Sequence, residues 1–173
     1  QLRCKSGNIR DFLKIAENLK AVCAEKEIPF IVNDSLEVAL TCHADGLHIG
    51  QDDLPVKVAR KLIPIDMVLG CSARTQEEVI NALEEGADYL GVGAVFSTST
   101  KDSDAIGLNN LESIIKATGL PVVAIGGINQ DNIAGVMQAG AVAAAVISAV
   151  LGEHDVEKAT RQLVNIIMEQ KDE

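Results

Sequence analysis

Short apolar runs alternate with longer amphipathic stretches from one end of the chain to the other. The runs Gln1–Arg3, Pro29–Asn33, Leu47–Gly50, Met67–Ser72, Tyr89–Val95, Pro121–Gly126 and Ala143–Ile147 are rich in Val and Ile and largely apolar at successive positions. Hydrophobicity on both faces predicts parallel strands covered by helices, rather than the half-solvated strands of an antiparallel sheet. Helical spacing predicts helices near 9–26, 35–43, 55–62, 75–85, 109–117, 130–139 and 155–170, with a further short turn at Ala149–Leu151. Thr75 followed by Glu78 has the form of a capping box, and Gly86 and Gly140 stand where helices should stop.

The phrase Glu84-Glu85-Gly86-Ala87-Asp88-Tyr89-Leu90 has echoes in His43-Ala44-Asp45-Gly46-Leu47 and Gln138-Ala139-Gly140-Ala141-Val142. A helix, a Gly-Ala or Ala-Asp turn and then a strand is the mark of repeated βα units. Seven such units are visible, one short of a closed ring of eight. The chain begins inside an expected strand and without Met, so the expectation is a (β/α)8 TIM barrel, of class α/β, lacking its first strand and helix, with residues 1–173 as a single N-terminally incomplete domain. An open parallel sheet is the alternative.

Composition narrows the function. The 173 residues are 47% hydrophobic and 23% charged, enough for one sizeable core, and no apolar run approaches the length of about 20 residues that a membrane helix needs. A formal net charge of −10, with no Trp, one Tyr and three Phe, argues against nucleic acid or anionic membrane as a partner. Cysteines 4, 23, 42 and 71 have no C-x-x-C spacing and follow no secretory segment, as expected of reduced thiols in a cytoplasmic protein.

Candidate chemistry collects where strands should end. Asn33-Asp34 and Gly50-Gln51-Asp52-Asp53 each break an apolar run with carboxylate and amide. Either acid could cap the helix that follows; the pair could also converge on a hard cation such as magnesium shared with a phosphate. Arg3 and Lys5 are surface cations or, at a barrel mouth, phosphate ligands. Ser72 is a helix cap or a hydroxyl donor. The segment Ser97-Thr98-Ser99-Thr100-Lys101 reads as an ordinary loop or as a lid over an anion. Gly126-Gly127 and Ile147-Ser148 end the last two strands, where barrels hold phosphate. His43, His48 and His154 lack metal-ligand spacing; His48 is expected to be a buried, hydrogen-bonded strand residue.

Taken together, Gln1-Leu2-Arg3-Cys4-Lys5, Asn33-Asp34, Gly50-Gln51-Asp52-Asp53-Leu54, Ser72, Thr98-Ser99-Thr100-Lys101, Gly126-Gly127-Ile128 and Ile147-Ser148 resemble the thiamine phosphate synthase family from Gln1 to about Gly152. The resemblance implies an Mg2+-dependent transferase that joins hydroxymethylpyrimidine diphosphate to hydroxyethylthiazole phosphate. It implies magnesium on Asp34 and Asp53, and catalytic roles for Lys101, Ser72, Arg3 and Lys5. It places Gln1, Arg3, Lys5, Asn33, Ser72 and Lys101 at the pyrimidine diphosphate and Thr98, Thr100, Gly127, Ile147 and Ser148 at the thiazole phosphate, with Leu2, Cys4, Ser99 and Gly126 also among the substrate-binding residues. Cys4, Ala94, Ser97 and Arg74 depart from the family's usual residues. A thiazole tautomerase and a non-catalytic phosphate-binding barrel are the rival readings, and a homodimer is the expected assembly if the chain associates.

Overall fold

A computed structural model describes residues 1–5, 7–97 and 104–170. Strands β1 (Ile31–Asn33), β2 (Gly46–Ile49), β3 (Val68–Ala73), β4 (Tyr89–Val92), β5 (Val122–Ile125) and β6 (Ala143–Ala145) alternate with helices along the chain. The helices are α1 (Ile9–Glu25), α2 (Leu36–Thr41), α3 (Val56–Leu62), α4 (Gln76–Glu85), α5 (Gly107–Ala117), α6 (Ile133–Gln138), α7 (Ser148–Leu151) and α8 (Val156–Glu169). Two compact units divide these elements: Gln1–Ser72 with Asn81–Asp88, and Ala73–Ile80 with the chain from Tyr89 onward.

In the first unit β1 pairs with β2 and β2 with β3, all parallel. Val32, Leu47 and Leu69 stand side by side in that register, each fully buried. Burying each such side chain contributes about 1.5–3 kcal/mol. α1 packs against α2 and turns Phe12 and Ala16 inward. The second unit repeats the plan: β5 pairs in parallel with β4 and β6, over a core that includes Leu90, Val92, Leu111, Val122, Ile133 and Val136.

The repeated Ala-Asp turn has a physical meaning. Asp45 Oδ2 accepts from the Phe30 amide at 2.7 Å, while the Asp45 amide donates back to the Phe30 carbonyl. Asp88 does the same with Leu69, at 2.7 Å in each direction. A helix cation completes each knot, Lys20 at 2.6 Å from Asp45 and Arg60 at 2.9 Å from Asp88. Against the cost of partial desolvation, Lys20 and the Phe30 amide hold the Asp45 carboxyl below its ordinary range. Val142 occupies the matching place in the third copy, where a side-chain acceptor is lacking and only the backbone bond to Val122 remains.

Several boundaries differ from the sequence expectation. Gln1–Arg3 is reduced to one bridge, Leu2 to Val32, although both its hydrogen bonds are 2.9 Å. β4 stops at Val92 instead of Val95, although beyond it the Val95 and Phe96 amides still donate to the Ile125 and Gly126 carbonyls at 2.9 and 3.0 Å. A Cβ on Gly93 would lie 1.9 Å from the Ile125 carbonyl oxygen. β5 ends before Gly126, whose φ of 100° leaves the strand conformation, and Pro55 precedes α3 as its cap residue instead of opening it. The capping box is present: the Glu78 amide donates to Thr75 Oγ1 at 3.2 Å and the Thr75 amide to Glu78 Oε2 at 3.1 Å.

Candidate active site

In-register neighbours of a parallel sheet point to the same face. Asn33 on β1 is the partner of His48 on β2, and His48 of Gly70 on β3. The ends of these strands therefore bring Asn33, His48 and Ser72, two residues beyond Gly70, onto one face.

Just past β1 the chain turns at Asp34, whose φ of 69° is a conformation that Asp tolerates better than most residues. Its amide donates to the His48 carbonyl at 2.8 Å. The helix cap is Ser35, which accepts from the Val38 amide at 3.4 Å, so Asp34 is not spent on capping α2. Asn33 Nδ2 donates to Asp34 Oδ1, and Arg3 Nε stands 3.6 Å from Asp34 Oδ2.

Asp53 closes a tight turn after β2, with Oδ2 accepting from the Gly50 amide at 2.6 Å. A Cβ on Gly50 would come within 3.2 Å of that oxygen. The two carboxyls meet. Burial, a hydrogen bond shared with Asp53 and the negative charge of Asp53 raise the Asp34 carboxyl above its ordinary value, against the pull of Arg3. A cation placed between two such carboxyls would relieve their repulsion. Asp52 lies exposed on the turn. Lys5 and Cys4 line a cavity of about 360 Å³ together with Asn33, Asp34 and Phe12.

Ser72 is not a cap either, because Thr75 fills that role for α4. Its hydroxyl lies 2.9 Å from His48 Nε2, and its carbonyl accepts from Gln51 Nε2 at 2.6 Å. His48 is 7% exposed, and burial lowers its pKa to about 4 against the raising effect of the Asp53 charge. The imidazole is neutral at pH 7. Sequence reasoning gave neither His48 nor Gln51 a place in the site; the neighbouring Gln51-Asp52-Asp53 run was the available signal for the second.

The second unit builds with backbone. Gly126 and Gly127, directly after β5, have φ of 100° and 65°. A Cβ on Gly126 would lie 2.5 Å from Ala94 Cα, and one on Gly127 2.6 Å from the Ser97 carbonyl oxygen. Asn132 Nδ2 donates to the Gly127 carbonyl at 3.0 Å, and Asn132 Oδ1 accepts from the Asn129 amide at 2.9 Å. The turn is thus pinned by side chains that sequence reasoning passed over. Ser148 opens α7, where its amide has no intrahelical acceptor, and Ile147 beside it is 51% exposed. Arg74 reaches the Asp104 carbonyl at 2.7 Å. Thr98, Ser99, Thr100 and Lys101 lie outside the described residues. Gln1 and Arg3 are exposed and Leu2 partly buried against β1.

Parallel βα units with polar residues and glycine turns at the carboxyl ends of their strands belong to the (β/α) barrel class. The comparisons make the class specific. Residues 1–150 match the sequence profile of the family described as thiamine monophosphate synthase. The thiamine-phosphate synthase of Clostridium tetani is 43% identical over 170 residues, 98% of this chain and 81% of that protein. That of Chloroflexus aurantiacus is 48% identical over 165 residues, 94% of this chain and 76% of that protein. The thiamine phosphate pyrophosphorylase structure from Pyrococcus furiosus superposes with a TM-score of 0.92 at 42% identity, covering 97% of this chain and 81% of that one. A 3-hexulose-6-phosphate synthase structure shares the fold at 17% identity, with a TM-score of 0.73. The chain belongs to the thiamine monophosphate synthase family, whose members named here are transferases. No helix among the described residues is long and apolar enough to cross a membrane.

Proposed function

We propose that the chain condenses hydroxymethylpyrimidine diphosphate with hydroxyethylthiazole phosphate, giving thiamine phosphate and diphosphate. The observation that carries this reading is the meeting of Asp34 and Asp53 beside Arg3, in a chain of this family. The bond between the pyrimidine methylene carbon and the diphosphate oxygen breaks, its electron pair leaving with diphosphate. The thiazole nitrogen then gives its lone pair to that carbon. No protein nucleophile takes part.

Diphosphate leaves readily only when its charge is neutralised. Arg3 and Lys5 supply cations at the strand ends, and Lys101 is assigned the same task by family resemblance. Asp34 and Asp53 suit magnesium: two hard oxygen donors held close by Gly50 and Asn33, with the remaining positions left to substrate oxygens and water. Bound magnesium would neutralise diphosphate charge as the carbon–oxygen bond breaks. Gly126, Gly127 and Ser148, with Thr98 and Thr100, are assigned to the thiazole phosphate, where backbone amides freed of Cβ groups can approach an anion.

The test is direct. Protein mixed with both substrates and Mg2+ should release thiamine phosphate and diphosphate in equal amounts. Binding of both substrates without diphosphate release overturns the proposal and leaves a binding barrel. Isomerisation of the thiazole phosphate without Mg2+ would identify a tautomerase.

A further inference from the structure

We infer that His48 is a positioning residue for diphosphate departure, holding the Ser72 hydroxyl so that its single proton faces the substrate. The inference rests on the reading of Ser72 as a diphosphate contact.

β2 is buried at all four positions, and its other side chains, Leu47 and Ile49, are apolar core. An imidazole in that strand costs free energy unless its polar atoms are satisfied, and an aliphatic residue would fill the space more cheaply. The register gives it a use. His48 pairs with Gly70, which presents no side chain beside it, and the ring reaches diagonally to Ser72, 2.9 Å from Nε2 to Oγ. Gln51 holds the Ser72 carbonyl at 2.6 Å, so the backbone carrying the hydroxyl is fixed from a second side.

A serine hydroxyl has one proton, and an anionic phosphate oxygen can only accept. Ser72 can therefore donate to diphosphate only if its own oxygen is the acceptor toward His48. Nε2 must then carry the imidazole proton. Polarisation along Nε2–H, Oγ–H and phosphate oxygen strengthens each bond in turn, most strongly as negative charge grows on the leaving group. A ring protonated at Nδ1 instead would capture the Ser72 proton and turn the hydroxyl into an acceptor, repelling the anion.

Two measurements decide it. Nitrogen-15 NMR of the imidazole at pH 7 should show a neutral ring protonated at Nε2; the Nδ1–H form overturns the inference. In a double-mutant cycle His48→Leu should lower kcat about tenfold or more, with the KM for thiazole phosphate unchanged. His48→Gln, which restores an amide donor at that reach, should recover most of the loss. His48→Leu should add nothing in a Ser72→Ala background. If His48→Leu does not fold, His48→Asn, whose amide stops short of Ser72, replaces it in the same cycle. Equal losses with and without Ser72 overturn the inference and leave the reading of Ser72 intact. A silent Ser72→Ala refutes that reading, and the inference with it.

Discussion

On the proposed reading, the two units would reach ligand-binding chemistry by opposite routes. In the first, side chains do the work: Arg3, Asn33, Asp34, His48, Asp53 and Ser72 are brought together by strand register and tight turns. In the second, side chains are removed, and the backbone at Gly126-Gly127 approaches Ala94 and Ser97 more closely than any Cβ would allow. A side-chain site can lose a functional group and keep its fold. A backbone site cannot gain a methyl group without moving the chain.

Substitutions sharpen the contrast. Asp53→Ala deletes one of two metal-type donors and should lower kcat by about 10²–10³, with thermal unfolding little changed; steady-state rates of diphosphate release and a melting curve check both halves. Gly127→Ala should act in reverse. Overlap with the Ser97 carbonyl and Phe96, at a φ of 65°, should destabilise the protein by about 2 kcal/mol and raise the KM for thiazole phosphate. A normal melting curve for Gly127→Ala would remove the distinction between the two routes.

Beneath both lies the scaffold. Asp88→Ala leaves the amide of fully buried Leu69 without its side-chain acceptor and frees Arg60, and should cost about 1–3 kcal/mol in denaturant unfolding. The smallest expected effect has the opposite sign. The Asp34 carboxyl is raised above its ordinary value, so its ionised form is disfavoured by folding: stability falls as pH rises from the ordinary aspartate value through the raised one, and stays lower at neutral pH. Asp34→Asn should therefore stabilise the protein at pH 7 by less than about 1 kcal/mol while abolishing most turnover. The gain should vanish below the ordinary aspartate pKa.

Much of this was legible in the sequence. Apolar runs located all six strands within a few residues, and the Thr75–Glu78 box and the stop at Gly86 matched the structure, because these features depend on neighbours along the chain. Asp34 could not be told from a cap by sequence, since the deciding fact is that Ser35, one residue on, takes the cap. The His48–Ser72 contact was hidden because it joins residues 24 apart through the β2–β3 register. The early end of β5 was hidden as well, because an apolar run does not reveal that Gly126 will leave the strand with a φ of 100°.

On the proposed reading, Asp34 and Asp53 act as one magnesium site completed by diphosphate. Calorimetric titration of Mg2+ into the protein, with and without diphosphate, tests it most directly. Wild-type protein should bind Mg2+ tightly only when diphosphate is present, and Asp34→Asn and Asp53→Asn should each abolish that enhancement. Equal Mg2+ affinity in wild type and both variants would contradict the account.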